Sequence, residues 1–159
     1  MQAQNIYGAT MATTSGLLTA TGTETVYDTT VAISYSIAGK AYSKATVADG
    51  ATPTTDGNSV ALPAIVAGTG ACVVWALNSS GTVTLFQSDA KTLDSSNNFE
   101  YAPQFPGVNM DNYCPFAYMI VKNAAGSSDF TVGTSNWDQT GATLAIQNVH
   151  QLPVRPQTS

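Results

Sequence analysis

Charge is scarce in this sequence. Five basic and ten acidic side chains make up 9% of its 159 residues, against about 25% in an ordinary soluble domain, which excludes a salt-bridged helical protein, a coiled coil and an acidic disordered chain. The five cations, Lys40, Lys44, Lys91, Lys122 and Arg155, are scattered, and the net charge is −5. With no cationic stripe to displace counterions from phosphates, direct binding of nucleic acid is not expected.

Histidine occurs once, at His150. That excludes a metal site with two imidazoles, and a Ser-His-Asp triad would have to take its base from the end of the last strand, with no G-x-S-x-G elbow beside it. His150 therefore reads as a structural residue. Cysteine occurs twice, at Cys72 and Cys114, too few for a metal cage or a disulfide scaffold. They read as two buried thiols, or as one bridge if folding brings their Cα atoms within about 7 Å.

The acids are as dispersed as the bases. Asp89 and Asp94 lie in a polar connector, while Asp111 and Asp129 are isolated. No EF-hand rhythm appears, and nothing selects a carboxylate pair for glycoside hydrolysis. Gly39-Lys40 fails as a phosphate loop because Ser34 stands where the motif's first Gly belongs and Ala41 where Ser or Thr would hold Mg²⁺. No catalytic, metal-binding or cofactor-binding residue is assigned, and the chain is not expected to be an enzyme.

Long apolar runs are missing too. The first 39 residues contain no Lys or Arg, and Leu17-Leu18 is the longest bulky apolar run among the first twenty, so no Sec-type export signal is expected. The uncharged stretch 60–77 is broken by Pro63, Gly68, Thr69 and Gly70, which suits strand, turn and strand rather than a membrane helix.

What is abundant is small or hydroxylic: 22 Thr, 22 Ala, 14 Ser, 13 Gly and 10 Asn. Residues 1–24 (MQAQNIYGATMATTSGLLTATGTE) hold no sustained period and read as an extended arm, held by some other surface. From residue 31 the alternation becomes strict. Val31, Ile33, Tyr35 and Ile37 interleave with Ala32, Ser34 and Ser36, and a two-residue turn at Gly39-Lys40 predicts a hairpin with Ile37 opposite Tyr42 and Tyr35 opposite Lys44. One of its faces is apolar and the other an Ala/Ser ladder.

Residues 49–59, with two Asp-Gly steps and Pro53, read as a surface loop. A second hairpin runs over 71–77 and 82–87 through Asn78-Ser-Ser-Gly81. Pairing Leu77 with Thr82 puts Val74, Ala76, Val83 and Leu85 on one face and Val73, Trp75, Leu77 and Phe86 on the other, so both faces need cover. Asn78-Ser79-Ser80 is also a glycosylation sequon, but it serves here as the turn. Residues 88–98 form a polar connector with room for a short turn of helix. Phe99, Tyr101, Phe105, Tyr113, Phe116 and Tyr118 follow, in a segment that Pro103, Pro106 and Pro115 keep irregular. Strands are expected over 116–122, near 130–132 and over 142–149, and a tail extends under Pro153 and Pro156.

Seven or eight short strands with Gly/Asn/Asp turns indicate an all-β fold, an antiparallel β-sandwich or jelly-roll-like barrel. Its organisation is an extended N-terminal arm at 1–24, a sandwich domain at 25–150 and an extended C-terminal tail at 151–159. The shortage of ions, the small-residue strand faces and the two extensions suit large uncharged contacts of the kind obligate assemblies make. The expected contact residues are Ile6, Tyr7, Leu17 and Leu18 of the arm, Tyr101, Phe105 and Tyr113 of the aromatic segment, and Val154 and Arg155 of the tail.

The segments YSIAGKAYSK at 35–44, ATPTTD at 51–56, APQFP at 102–106, CPFAYMIVK at 114–122 and LPVRP at 152–156 resemble small structural proteins of tailed bacteriophages, over about residues 31–157. The resemblance implies a virion role on the capsid exterior as a decoration, cement or head-fibre protein. The expected partners are the major capsid protein and further copies of the chain in a homo-trimer, with no membrane and no cofactor. The alternative is a receptor- or glycan-binding module of a fibre or tail, with Tyr101, Phe105, Tyr113 or Trp137 stacking on sugars.

Overall fold

The computed structural model describes residues 10–157. It is all-β and antiparallel, built as a sandwich around one dominant sheet. In chain order the strands are β1 (Met11–Ala12), β2 (Leu18–Thr19), β3 (Val26–Thr29), β4 (Ile33–Ile37), β5 (Lys40–Lys44), β6 (Val47–Ala51), β7 (Thr69–Asn78), β8 (Val83–Gln87), β9 (Lys91–Thr92), β10 (Tyr113–Asn123) and β11 (Ala142–Asn148). The central sheet has the order β11-β10-β7-β8, with β9 also pairing β7. Two three-stranded sheets, β1-β4-β5 and β2-β3-β6, complete the fold.

The two long strands β7 and β10 are apolar on both sides. Val73, Trp75 and Leu77 join Phe116, Met119 and Val121 on a first face, packed with Leu18, Tyr27, Ile33, Tyr35 and Ile37 from the smaller sheets. Cys72, Val74, Ala76, Phe86, Tyr118 and Ile120 form the second face. Pro115 does not end β10, because the register with β7 shifts between Pro115 and Ala117. The bulge absorbs the residue that cannot donate to the ladder and lets Phe116 and Ala117 both turn toward the first face.

Both hairpins form, each with a register different from the expected one. In the first, Ala38 and Gly39 have φ of 48° and 81°, a type I′ turn, so Ile37 pairs with Lys40 and Tyr35 with Tyr42. The shift is by two, so the faces are those anticipated, with Ser34 opposite Ser43. In the second, Asn78 stays in the strand. Its Oδ1 accepts the N–H groups of Ser80 and Thr82, each at 3.0 Å, and Gly81 takes φ 77°. Leu77 therefore pairs with Val83 and Val74 with Phe86. This slip of one moves Val83 and Leu85 to the side of Trp75, and Phe86 to the side of Val74.

Other expectations need correction. Asp49-Gly50 lies inside β6 rather than in a loop, with Gly50 paired to Tyr27. A Cβ at Gly50 would come within 2.8 Å of the Tyr27 ring, so only glycine fits there. Residues 88–98 hold β9 and an Asp94 turn instead of helix. Phe130 forms a single bridge with Ile65 rather than a strand.

The stretch read as an arm divides. Ile6 and Tyr7 lie outside the described residues. Residues 10–24 are part of the sandwich: β1 pairs β4 and β2 pairs β3, and Ala12, Leu18 and Ala20 are buried. The surface holding them is this chain's own. The tail likewise lies on the domain, with Leu152 packed over the second face and Pro156 buried.

Candidate contact surface

The second face of the central sheet is roofed by segments without regular structure. Phe99, Phe105 and Val108 cover it from one segment and Val149 and Leu152 from another, beside Tyr113 at the start of β10. Phe105 meets Tyr118 edge-on at 5.1 Å between ring centroids, and Tyr113 meets Phe86 in the same way at 5.1 Å. Phe99 reaches the sheet because Gly70 leaves room, since a Cβ there would stand 2.7 Å from the ring. The Tyr118 hydroxyl accepts the N–H of Gln157 at 3.1 Å, which ties the tail down.

Between residues 98–102 and the tail at 153–157 runs a groove of about 800 Å³ with Lys122 at its side. The Lys122 ammonium sits 5.5 Å from the Phe99 ring centroid, a cation-π contact. Val154, fully exposed, and the exposed Arg155 line it, and Tyr101, 73% exposed, lies between Phe99 and Ala102 in the chain. Two of the nine expected contact residues, Val154 and Arg155, therefore line one groove.

The other described ones go elsewhere. Leu17 is half exposed in a left-handed conformation, φ 48°, and Val31, also exposed, donates its N–H to the adjacent Gly16 carbonyl. Leu18 is turned into the chain's own core. Phe105 and Tyr113 spend their rings on the second face, and the Tyr113 hydroxyl bonds the Gly57 carbonyl at 3.3 Å. Trp137, offered as a sugar platform, is buried and donates Nε1–H to the Val26 carbonyl at 2.6 Å. Of the four proposed stacking aromatics, Tyr101 alone stands free.

Titratable groups serve structure. His150 Nδ1 lies 2.7 Å from the Ala12 carbonyl, and the Ala12 N–H donates to the His150 carbonyl at 3.0 Å, so this residue fastens β1 to the end of β11. Cys72 and Cys114 are both free and buried. They sit on opposite faces of the sheet and in different registers, Cys72 opposite Ile120 and Cys114 opposite Leu77, so no bridge joins them. Burial pushes each thiol up to about 12, which keeps both protonated and poorly nucleophilic. Among the described residues no three of His, Cys, Asp and Glu come together as a metal site, and no helix is long and apolar enough to cross a membrane.

One edge of the central sheet was not anticipated as a contact. Strand β11 ends the sheet, beside a groove of about 370 Å³ whose lining includes Ala20, Gly22, Trp137, Leu144 and Ile146, with Asp138 its one charged residue. The sequence signal was present in ATLAIQN at 142–148, a run with neither charge nor proline, but which strand becomes an edge is decided by topology. Comparison with family models, curated proteins and solved structures finds no match to this chain.

Proposed function

We propose that this chain is a structural protein of a tailed-bacteriophage virion, a decoration (cement) protein that sits on the capsid exterior and binds the major capsid protein across subunit contacts. The observation that carries this reading is a weakly charged sandwich whose exterior leaves two large apolar side chains standing out, Val154 in a groove and Tyr101 in the segment between Phe99 and Ala102. A contact made by such groups avoids the cost of desolvating ions. The reading also draws on the likeness of the sequence segments to small phage virion proteins.

The mechanism is one of linkage. A protein that binds the assembled shell, and not its separated subunits, stabilises the shell by RT ln(1 + [L]/Kd), about 2.7 kcal/mol per site when free protein is a hundredfold above Kd. The test is co-sedimentation with empty capsids, using the full chain and a Tyr101→Ala/Val154→Ala variant. The expected result is saturable binding, weakened about tenfold or more in the variant, in keeping with the loss of an apolar anchor. Binding to host cells with none to capsids would replace this reading by a receptor- or glycan-binding one.

A further inference from the structure

We propose that the outer edge of β11 pairs with the same edge of a second copy of this chain, in antiparallel register about a twofold axis at Ala145. The hydrogen-bond parity of the strand fixes which groups are free. The Val149 N–H donates to the Phe116 carbonyl, and the Gly141 carbonyl accepts from Ala124, each at 2.9 Å. Odd-numbered residues of β11 therefore turn their backbone groups toward β10, and even-numbered ones turn theirs outward.

At the ends of the strand the chain itself stands against these outward positions: the Ala142 N–H bonds the Gln139 carbonyl at 3.0 Å, and the Asn148 side chain accepts the Leu18 N–H at 2.8 Å. Leu144 and Ile146 remain, and neither backbone has an outward partner among the described residues. Setting Leu144 against Ile146 of a second copy, and Ile146 against its Leu144, makes four hydrogen bonds and joins two central sheets into one.

The other edge strands of more than two residues carry devices that discourage such pairing. The outer edge of β8 is met by Asp56 in a bridge to Leu85, and Gln87 is tied to the Pro63 carbonyl at 2.9 Å. Strand β5 bears Lys40 and Lys44, and β6 is bent by Asp49 at φ 52°. Strand β11 has no charge, no proline and seven unbroken pairs with β10. Its occupant must be an extended segment with uncharged side chains and two free residues in matching phase. A second β11 meets each condition, and no like charges of this acidic chain are brought together along the strand. An isologous pair closes as a dimer, in place of the trimer expected from sequence. The proposal is independent of shell binding, because a dimer indifferent to capsids leaves it intact.

The register makes the test specific. Thr143 and Gln147 lie directly opposite each other across the twofold, as a close non-hydrogen-bonded pair, and neither belongs to the core. Light scattering on the full chain should give twice the 16.5 kDa of one chain. The Thr143→Lys/Gln147→Lys variant, with two like-charge pairs, should fall to a single mass. Thr143→Lys/Gln147→Glu, with two opposite-charge pairs, should keep the double mass. Independently of any variant, the Leu144 and Ile146 amides should exchange at least about tenfold more slowly at high protein concentration than on dilution. A wild-type monomer or trimer, equal masses for the two variants, or exchange unaffected by dilution would each overturn the proposal.

Discussion

Both faces of the central sheet carry buried apolar side chains from β7 and β10 and are covered in opposite ways. Over the first, other strands supply the roof. Trp75, Phe116 and Met119 are fully buried there, Tyr27 meets Trp75 edge-on at 5.2 Å, and the covering backbone pairs within its own sheets. Over the second, the roof is irregular chain. Tyr118 and Ile120 beneath it are just as buried, but the covering Phe99, Phe105, Val108 and Leu152 are themselves only partly so. A strand roof satisfies its backbone and shares its apolar residues with the core. A roof of proline-bounded loop and tail satisfies less backbone, so it opens more easily without unfolding the sheet. Stability resides under the first roof, and both the groove and the exposed Tyr101 and Val154 belong to the second.

The largest effect that would sharpen this contrast is on packing. Trp75→Ala should cost about 3–5 kcal/mol, in the range for a large aromatic removed from a packed core, whereas Phe105→Ala should cost roughly 2 kcal/mol because its side chain is only partly buried. Urea denaturation measures both, and equal losses would mean that the roofs are energetically alike. Trp75 Nε1 meets no acceptor among the described residues, so Trp75→Phe should cost less than the alanine variant.

The thiols report on opening rather than on total stability. Cys114 lies under the first roof and Cys72 under the second. Both are held near 12 by burial, so alkylation at neutral pH requires that a roof lift. Mass spectrometry should find Cys72 modified first, with Cys114 following only as the whole molecule unfolds; equal rates would break the distinction. Because each folded value lies above the ordinary 9.0, the stability tied to these thiols is intact below pH 9 and is lost as pH rises toward about 12.

How far the sequence discloses these roofs depends on where the information lies. The hairpins are local, so period-two alternation and turn residues reveal them, and the apolar character of 71–77 on both sides correctly demands two covers. Register fails where one side chain decides the turn: Asn78 accepts two N–H groups instead of leaving the strand, and Phe86 changes face as a result. Strands β1, β2 and β9 have two residues each. No pattern that short is visible, and they exist because β4, β3 and β7 offer partners. The same reasoning applies to the contact residues. Phe99 and Val154 stand more than fifty positions apart, and the tail's placement on Tyr118 brings them to one groove. Deleting residues 1–24, which an arm would tolerate, should instead unfold the domain, because Ala12, Leu18 and Ala20 go with them.

A smaller effect isolates the tail. Tyr118→Phe removes the acceptor of the Gln157 N–H and leaves the ring against Phe105. The expected loss is about 1 kcal/mol, that of one hydrogen bond, and it should appear mainly as faster alkylation of Cys72 with Cys114 unchanged.

The smallest effect tests the turn that leads into Phe99. Asp94 Oδ1 accepts the N–H groups of Ser96 at 2.8 Å and Asn98 at 2.9 Å. Those bonds, Asn98 first, and then the nearby Lys122, hold the carboxyl below its ordinary 3.8. A depressed value means that the contribution is complete above pH 3.8 and disappears as pH falls through the lower folded value. Asp94→Ala should therefore be slightly less stable than wild type at neutral pH and indistinguishable from it in strong acid. The carboxylate is fully exposed, so the difference should be smaller than that for Tyr118→Phe and should diminish with salt. Were the gap to persist unchanged into strong acid, it would belong to the turn's shape rather than to its charge, and the second roof would be held by packing alone.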